Sequence, residues 1–193
     1  MILEYTFDES PADWFHITKC FPDEFARKLL KLYPEPKSLD SYSGKRDGAN
    51  EFRTFVTEKT PVAHKIFAPW NTEYAKQMFT EISGVDCSRG HLRIELCQDV
   101  DGFWLERHID IPEKLITLQI YLGDGDINWG TSIYFPRKGN IYRTVPFRHN
   151  EGWMTIAGSP LVHGVEQNMV DGLRKSVIIN YVVGDWKDTD QLY

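Results

Sequence analysis

Leu92-Arg93-Ile94-Glu95-Leu96 alternates apolar and polar side chains one by one, and it marks the point where the period of the sequence changes from 3.6 to 2. Successive side chains of a strand point to opposite faces, so this alternation describes a strand with two unlike faces. Six further segments read as strands: Phe103 to Ile109, Leu115 to Leu122, Thr131 to Phe135, Ile141 to Val145, Trp153 to Ala157 and Ser176 to Val183. Turns containing Gly, Asp, Pro or Asn separate them, with no helical segment between. Strands at this spacing argue for an antiparallel sandwich or barrel, of which the jelly roll, or double-stranded β-helix, is one form.

Ahead of residue 90 the pattern reads as helical. Pro22 to Tyr33 places Phe25, Leu29 and Leu32 on one stripe, with Pro in the first turn, acidic residues early and basic ones late, and Pro34 and Pro36 ending it. Asn71 reads as the cap of a second helix, with Tyr74, Ala75, Met78, Phe79 and Ile82 at helical spacing and Gly84 as its stop. Between the two, Lys37 to Thr60 is polar and rich in Ser, Gly, Asp and Arg, which describes a long binding-type loop with a short strand near Phe52 to Val56. No repeat, low-complexity stretch or linker interrupts the chain. The expected organisation is one domain over residues 1–193, mainly β with N-terminal helices: helical support and substrate loops over 1–90, and a jelly-roll core over 91–184 with the helices packed outside it.

The 193 residues are 41% hydrophobic and 26% charged, enough chain to bury roughly 70% of the unfolded surface. A net charge of −6 offers no general field attractive to phosphate, so nucleic acid is not expected as a partner. Apolar runs such as Leu115 to Leu122 fall well short of the roughly 20 residues of a membrane span. Met1 to Glu9 carries acid where a secretory leader carries Lys or Arg, and no apolar run follows, so a cytoplasmic location is expected. Cys20, Cys87 and Cys97 form no Cys-x-x-Cys pair and read as reduced, partly buried thiols. Six Trp and an aromatic content of 13% favour β structure and a deep pocket.

His108-Ile109-Asp110 stands at the end of a strand candidate, where residues i and i+2 share a face and can grip one metal ion. Alone the triplet says little, because a chain with 6 His and 15 Asp yields about 0.5 such triplets by chance. Three other features add weight. His163 follows 55 residues later, enough chain for the strands of a jelly roll to bring the two histidines together on facing strands. Arg174-Lys175-Ser176 opens the last long strand 11 residues after His163, with Arg174 and Ser176 on one face, able to meet one carboxylate, and Lys175 turned away. Thr117, Gln119 and Tyr121 share a face of another strand.

As a set these residues resemble the Fe(II)- and 2-oxoglutarate-dependent oxygenases, most closely the prolyl-hydroxylase-like branch, over roughly residues 85–184. The family's catalytic metal triad, His-x-Asp with a distal His, falls on His108, Asp110 and His163. Its anchor for the far carboxylate of 2-oxoglutarate, commonly Arg-x-Ser, falls on Arg174 and Ser176, and the branch's Tyr on the strand after His-x-Asp falls on Tyr121. Gly130 to Phe135 stands where the family has Gly-Gly-x-Leu-x-Phe, with one glycine absent. The resemblance implies Fe(II), 2-oxoglutarate and O2 as cofactor and cosubstrates. It also implies hydroxylation of an unactivated C–H bond in a small molecule or peptide residue, with release of succinate and CO2. Two imidazoles and one carboxylate on one face of Fe(II) leave three adjacent positions, two for 2-oxoglutarate and one for O2. The Arg fork suits the far carboxylate better than Lys. Related halogenases have Gly or Ala where Asp110 stands, so its presence favours hydroxylation over halogenation.

Other candidates read more plainly. His149-Asn150-Glu151 ends 12 residues before His163, room for one turn and one strand, and reads as a polar turn. His16, His64 and His91 lack a carboxylate two residues on and read as structural or surface residues. Arg93 either faces the pocket or points outward; Arg46, Asp47, Asn50 and Arg53 either touch substrate or belong to a solvated loop. Trp104 and Trp129 read as aromatic packing beside the pocket. Two other functions stay open: a cupin-like metal enzyme that uses no 2-oxoglutarate, and a non-catalytic jelly-roll binding module. Cupins usually add His and Glu ligands on neighbouring strands, and a binding module leaves the Arg174-x-Ser176 offset without a purpose.

Overall fold

The alternation that begins at Leu92 resolves into two antiparallel sheets in a computed structural model, which describes residues 3–33, 53–55, 65–136, 139–184, 186 and 192–193. In chain order the elements are β1 (Glu4–Asp8), β2 (Trp14–Lys19), α1 (Asp23–Leu30), β3 (Arg53–Phe55), α2 (Glu73–Ser83), β4 (His91–Asp99), β5 (Leu105–His108) and β6 (Lys114–Leu122). They continue with β7 (Thr131–Tyr134), β8 (Ile141–Val145), β9 (Gly152–Ile156), β10 (Val162–Val165) and β11 (Arg174–Val182). The larger sheet has the order β1-β2-β9-β6-β11-β4-β3 and the smaller β5-β10-β7-β8. This is the jelly roll that the strand pattern and the resemblance both imply.

The period of 2 sorts the long central strands. Leu92, Ile94 and Leu96 of β4, Leu118 and Ile120 of β6, and Val177 and Ile179 of β11 form one core, and the helices close it with Ala26 and Leu29 of α1 and Phe79 of α2. Each fully buried Leu, Ile or Phe side chain contributes about 1.5–3 kcal/mol. The opposite face of the same sheet sends Trp14, Tyr121 and Trp153 against Ile133 and Val165 of the smaller sheet. That face also carries Glu95, Asp99, Thr117, Gln119, Arg174, Ser176 and Asn180, all buried. The larger sheet is thus covered on both sides, apolar beneath the helices and polar toward its partner sheet. Helices outside and strands inside match the expected packing.

Four local features differ from the reading of the sequence. The stretch read as helical also contains β1 and β2, which extend the larger sheet through β9. Trp14, Phe15, His16 and Ile17 of β2 are all buried, so a strand covered on both faces shows no alternation to read. The cap of α2 is Thr72 rather than Asn71: Thr72 has extended backbone, and its hydroxyl accepts from the Ala75 amide at 3.2 Å. Asn71 instead closes a 3-10 turn over Ala68–Trp70, and Tyr74 is exposed rather than buried. Gly84 ends α2 at a φ of 71°, a conformation that favours glycine. The fourth feature is β10, which is four residues long with a glycine inside. That is too short for a periodic signal, although it holds His163.

The short strand near Phe52 to Val56 appears as β3, whereas Arg46, Asp47, Asn50, His64 and most of the long loop lie outside the described residues. Cys20, Cys87 and Cys97 form no disulfide and are buried. Among the described residues no helix is long and apolar enough to cross a membrane.

Gly164 lets β5 and β10 close. A Cβ there would meet the Leu105 carbonyl oxygen at 2.7 Å and the Arg107 amide nitrogen at 3.3 Å. Gly164→Ala is expected to cost about 1–3 kcal/mol in urea unfolding and to part the two strands on which the histidines sit. A variant as stable as the wild type would show that the strands tolerate the separation.

Candidate active site

The pairing of β5 with β10 places His163 directly opposite His108, with ring centroids 4.3 Å apart. The two histidines are therefore hydrogen-bonded neighbours in one sheet, a closer relation than the facing strands expected. β5 ends at His108, so Asp110 does not share a strand face with it and reaches the site from the following turn. One ligating atom from each of His108, Asp110 and His163 lies within 4.8 Å of the others, a group able to hold a metal ion.

Each side chain is aimed by a partner. His108 Nδ1 donates to the Glu106 carbonyl at 2.8 Å and His163 Nδ1 to the Leu161 carbonyl at 3.1 Å. A carbonyl only accepts, so both Nδ1 atoms carry the proton, and Nε2 is the ligating nitrogen of each ring in its neutral form. Trp153 packs on the His163 ring, with centroids 4.6 Å apart. Asp110 Oδ1 accepts from Lys114 Nζ at 2.5 Å, while Oδ2 is buried with no hydrogen bond within 3.5 Å among the described residues. Burial opposes ionisation of Asp110, but the charge of Lys114, the neighbouring His163, which is protonated in the acid range where Asp110 titrates, and side-chain hydrogen bonds from Lys114 and Thr117 outweigh it and hold the carboxyl well below its usual range. Burial also lowers His163 to about 4 against the pull of Asp110, so its imidazole is neutral at pH 7. The neutral His163 imidazole, the His108 imidazole and an ionised carboxylate are a donor set that fits a divalent transition metal.

Beside the triad the pocket is lined by Glu95, Thr117, Gln119, Thr131 and Trp153, with Leu105, Val165 and Ile178 as its apolar walls. Thr117 and Gln119 line it as their shared strand face implies. Arg174, Ser176 and Tyr121 do not line it; Ser176 and Tyr121 lie one hydrogen bond further in, and Arg174 lies deeper still. Gln119 donates to Ser176 Oγ at 3.0 Å and accepts from Thr131 Oγ1 at 3.2 Å and Trp153 Nε1 at 3.0 Å. Tyr121 donates to Thr131 Oγ1 at 2.9 Å. Arg174 and Tyr121 do come together, the guanidinium carbon standing 5.1 Å from the ring centroid. Arg174 donates through Nε to the Trp129 carbonyl at 2.6 Å and through Nη1 to Asp99 Oδ2, both ion-pair side chains being fully buried. Its Nη2 is buried with no hydrogen bond within 3.5 Å among the described residues.

The sequence pointed to neither Lys114 nor Asp99. Lys114 stands four residues after Asp110, but the spacing spans a turn rather than a helix, so no face rule links them. Asp99 meets Arg174 only because β4 and β11 pair in the register Arg174↔Asp99. Arg93 takes the inward of its two readings. It is buried, donates to Glu95 Oε2 at 2.8 Å and Asn180 Oδ1 at 2.9 Å, and borders a groove of about 280 Å3 with His108, Asp110, Lys114 and Trp186. His149-Asn150-Glu151 is indeed a turn: Asn150 has a φ of 66° and bonds the Phe21 backbone through both side-chain atoms, at 2.8 and 2.7 Å. Trp129 is buried, with Nε1 donating to Asp171 at 2.9 Å, and Trp104 is half-buried at the edge of a surface groove.

No family model and no curated protein matches the chain. Solved structures share its fold. A Pseudomonas putida prolyl-4-hydroxylase superposes with a TM-score of 0.62 at 12% identity, over 89% of this chain and 92% of that one. A Trichoplax adhaerens prolyl hydroxylase in complex with a hypoxia inducible factor peptide fragment gives 0.62 at 12% identity, over 88% and 83%. The non-haem alpha-ketoglutarate-dependent epimerase SnoN from nogalamycin biosynthesis gives 0.57 at 16% identity, over 88% and 77%. At these identities the shared property is the fold, the jelly roll that those oxygenases use.

The lowered pKa of His163 sets a pH dependence for the metal-free protein. The unfolded chain takes up this proton near the ordinary histidine value of 6.5, whereas the native state refuses it until about 4. The unfolded state therefore binds more protons in that window, and stability falls as pH drops through it, by about 3 kcal/mol in all. Urea unfolding at pH 7, 5.5 and 4 should show this slope in the wild type and lose it in His163→Gln. Equal slopes would assign the pH dependence to other groups.

Proposed function

We propose that the chain is an Fe(II)- and 2-oxoglutarate-dependent oxygenase that hydroxylates an unactivated C–H bond of a small molecule or peptide residue. The observation that carries the reading is the convergence of His108, Asp110 and His163 to within 4.8 Å, with Asp110 Oδ2 buried and unpartnered. These three residues would hold the metal. Arg174, Ser176 and Tyr121 would hold the far carboxylate of 2-oxoglutarate, and the unpartnered Arg174 Nη2 supplies a donor for it. Bound Fe(II) supplies the redox chemistry by which O2 and 2-oxoglutarate become succinate and CO2 while a substrate C–H becomes C–OH.

The chain's own residues do the rest. The Glu106 and Leu161 carbonyls fix both imidazoles in the ligating tautomer. Leu105, Val165, Ile178 and the Trp153 ring supply the apolar part of the pocket wall, which limits water at an oxidising centre. The groove bordered by Ile109, Ile111, Lys114 and Trp186 opens beside the triad and supports it as the approach for substrate. Asp110, a carboxylate where halogenases have none, supports hydroxylation. A peptide is bound by the Trichoplax enzyme, and a peptide residue or a small molecule is the substrate class proposed here.

One observation favours a second reading, the cupin-like metal enzyme without 2-oxoglutarate: the Arg174 charge is already paired with Asp99. Calorimetry separates the two. On the Mn(II)-loaded protein 2-oxoglutarate is expected to bind, and to bind at least tenfold more weakly in Arg174→Met/Asp99→Leu, a pair that leaves no lone buried charge. No binding to the wild type selects the second reading. His108→Ala should abolish Fe(II) binding, and undiminished binding would sink the assignment of the triad. With Fe(II), 2-oxoglutarate and O2 present, succinate release stimulated by one of a panel of candidate substrates identifies the substrate.

A further inference from the structure

The two oxygens of Asp110 are treated differently. Oδ1 accepts from Lys114 Nζ at 2.5 Å, in a pair whose side chains are only 12% and 11% exposed. Oδ2 is buried with no hydrogen bond within 3.5 Å among the described residues. A carboxylate facing a metal can bind through one oxygen or both, and the choice matters here. One oxygen and two imidazoles leave three positions on a six-coordinate ion; two oxygens would leave two. A cosubstrate that chelates through two atoms then leaves no position for O2. Lys114 is well placed to make the choice. It is the first residue of β6, the strand that carries the pocket residues Thr117 and Gln119, so the larger sheet fixes the ammonium while Asp110 belongs to the turn after β5. The ion pair ties that turn to the sheet and occupies Oδ1.

We propose that Lys114 is a positioning residue that keeps Asp110 a one-oxygen ligand, reserving Oδ1 and offering Oδ2. The inference rests on the metal site proposed above and adds a requirement which that proposal does not contain. Lys114 touches neither reacting atom; it acts through the carboxylate it holds.

Relaxation of water protons by protein-bound Mn(II) counts the exchangeable positions on the metal, with no need for turnover or 2-oxoglutarate. The wild type is expected to show about three, and Lys114→Met about two with Mn(II) still bound. Lys114→Arg, which restores the cationic donor, should return the count to that of the wild type. In calorimetry the Mn(II)-loaded Lys114→Met protein should bind 2-oxoglutarate at least tenfold more weakly, with Lys114→Arg recovering. Should Lys114→Met not fold, Lys114→Gln is read in the same way, its shorter neutral side chain failing to hold Oδ1. An unchanged water count in the neutral variant would overturn the role of Lys114, as would loss of Mn(II) from a variant whose thermal unfolding matches the wild type. Failure of the wild type to bind Mn(II) would instead overturn the function proposed above.

Discussion

A sheet buried on both faces with one face polar has to satisfy every polar group from within, because an unpartnered buried donor or acceptor costs about 1–3 kcal/mol. The larger sheet of this protein lives under that constraint. Gln119 uses both ends of its amide, toward Ser176 on one side and Thr131 and Trp153 on the other. Arg93 is answered by Glu95 and Asn180, and Arg174 by Asp99 and the Trp129 carbonyl. Asp110 Oδ2 and Arg174 Nη2, like Thr155 Oγ1 of β9, have no hydrogen bond within 3.5 Å among the described residues. The first belongs to the carboxylate grouped with His108 and His163, and the second is a cationic donor deeper between the sheets, the polarities that a metal ion and a carboxylate require.

The candidate site sits on the seam between the sheets, and each sheet contributes a different kind of control. The smaller sheet supplies both histidines through one strand pair, so their separation is set by backbone hydrogen bonds. The larger sheet supplies Lys114, Gln119 and Trp153, which steer the ligands without belonging to the triad. Trp153 does so twice, packing on the His163 ring while its Nε1 bonds Gln119. The geometry at the metal position and the polar network deeper in are therefore mechanically connected, and a change in one is felt by the other.

Much of the fold could be read from residue order. The strands from β4 onward carry their alternation plainly where one face is apolar and the other polar, and the two helices carry their stripes. β2 could not be read, because a strand covered on both sides loses its alternation. β10 could not, because four residues with a glycine make no pattern. The cap of α2 moved by one residue because the 3-10 turn before it absorbed Asn71. At the site, His108, Asp110 and His163 were chosen by spacing and resemblance, and they converge. Arg174, Ser176 and Tyr121 were chosen in the same way, and they lie behind Gln119 and Thr131 rather than on the pocket wall.

Periodicity, capping and spacing are properties of neighbours along the chain, so the sequence by itself determined the period-2 half, the two helices and a short roll of metal-ligand candidates. Which side chains meet across strands depends on register, and register is set by the sum of contacts over whole sheets. The pairing of Arg174 with Asp99, 75 residues apart, exists only once β4 and β11 are aligned. The turn that brings Asp110 to Lys114 is likewise placed by the two sheets it joins. The tertiary structure alone decided which cation is already paired, which carboxylate oxygen is left open, and hence what the site can hold.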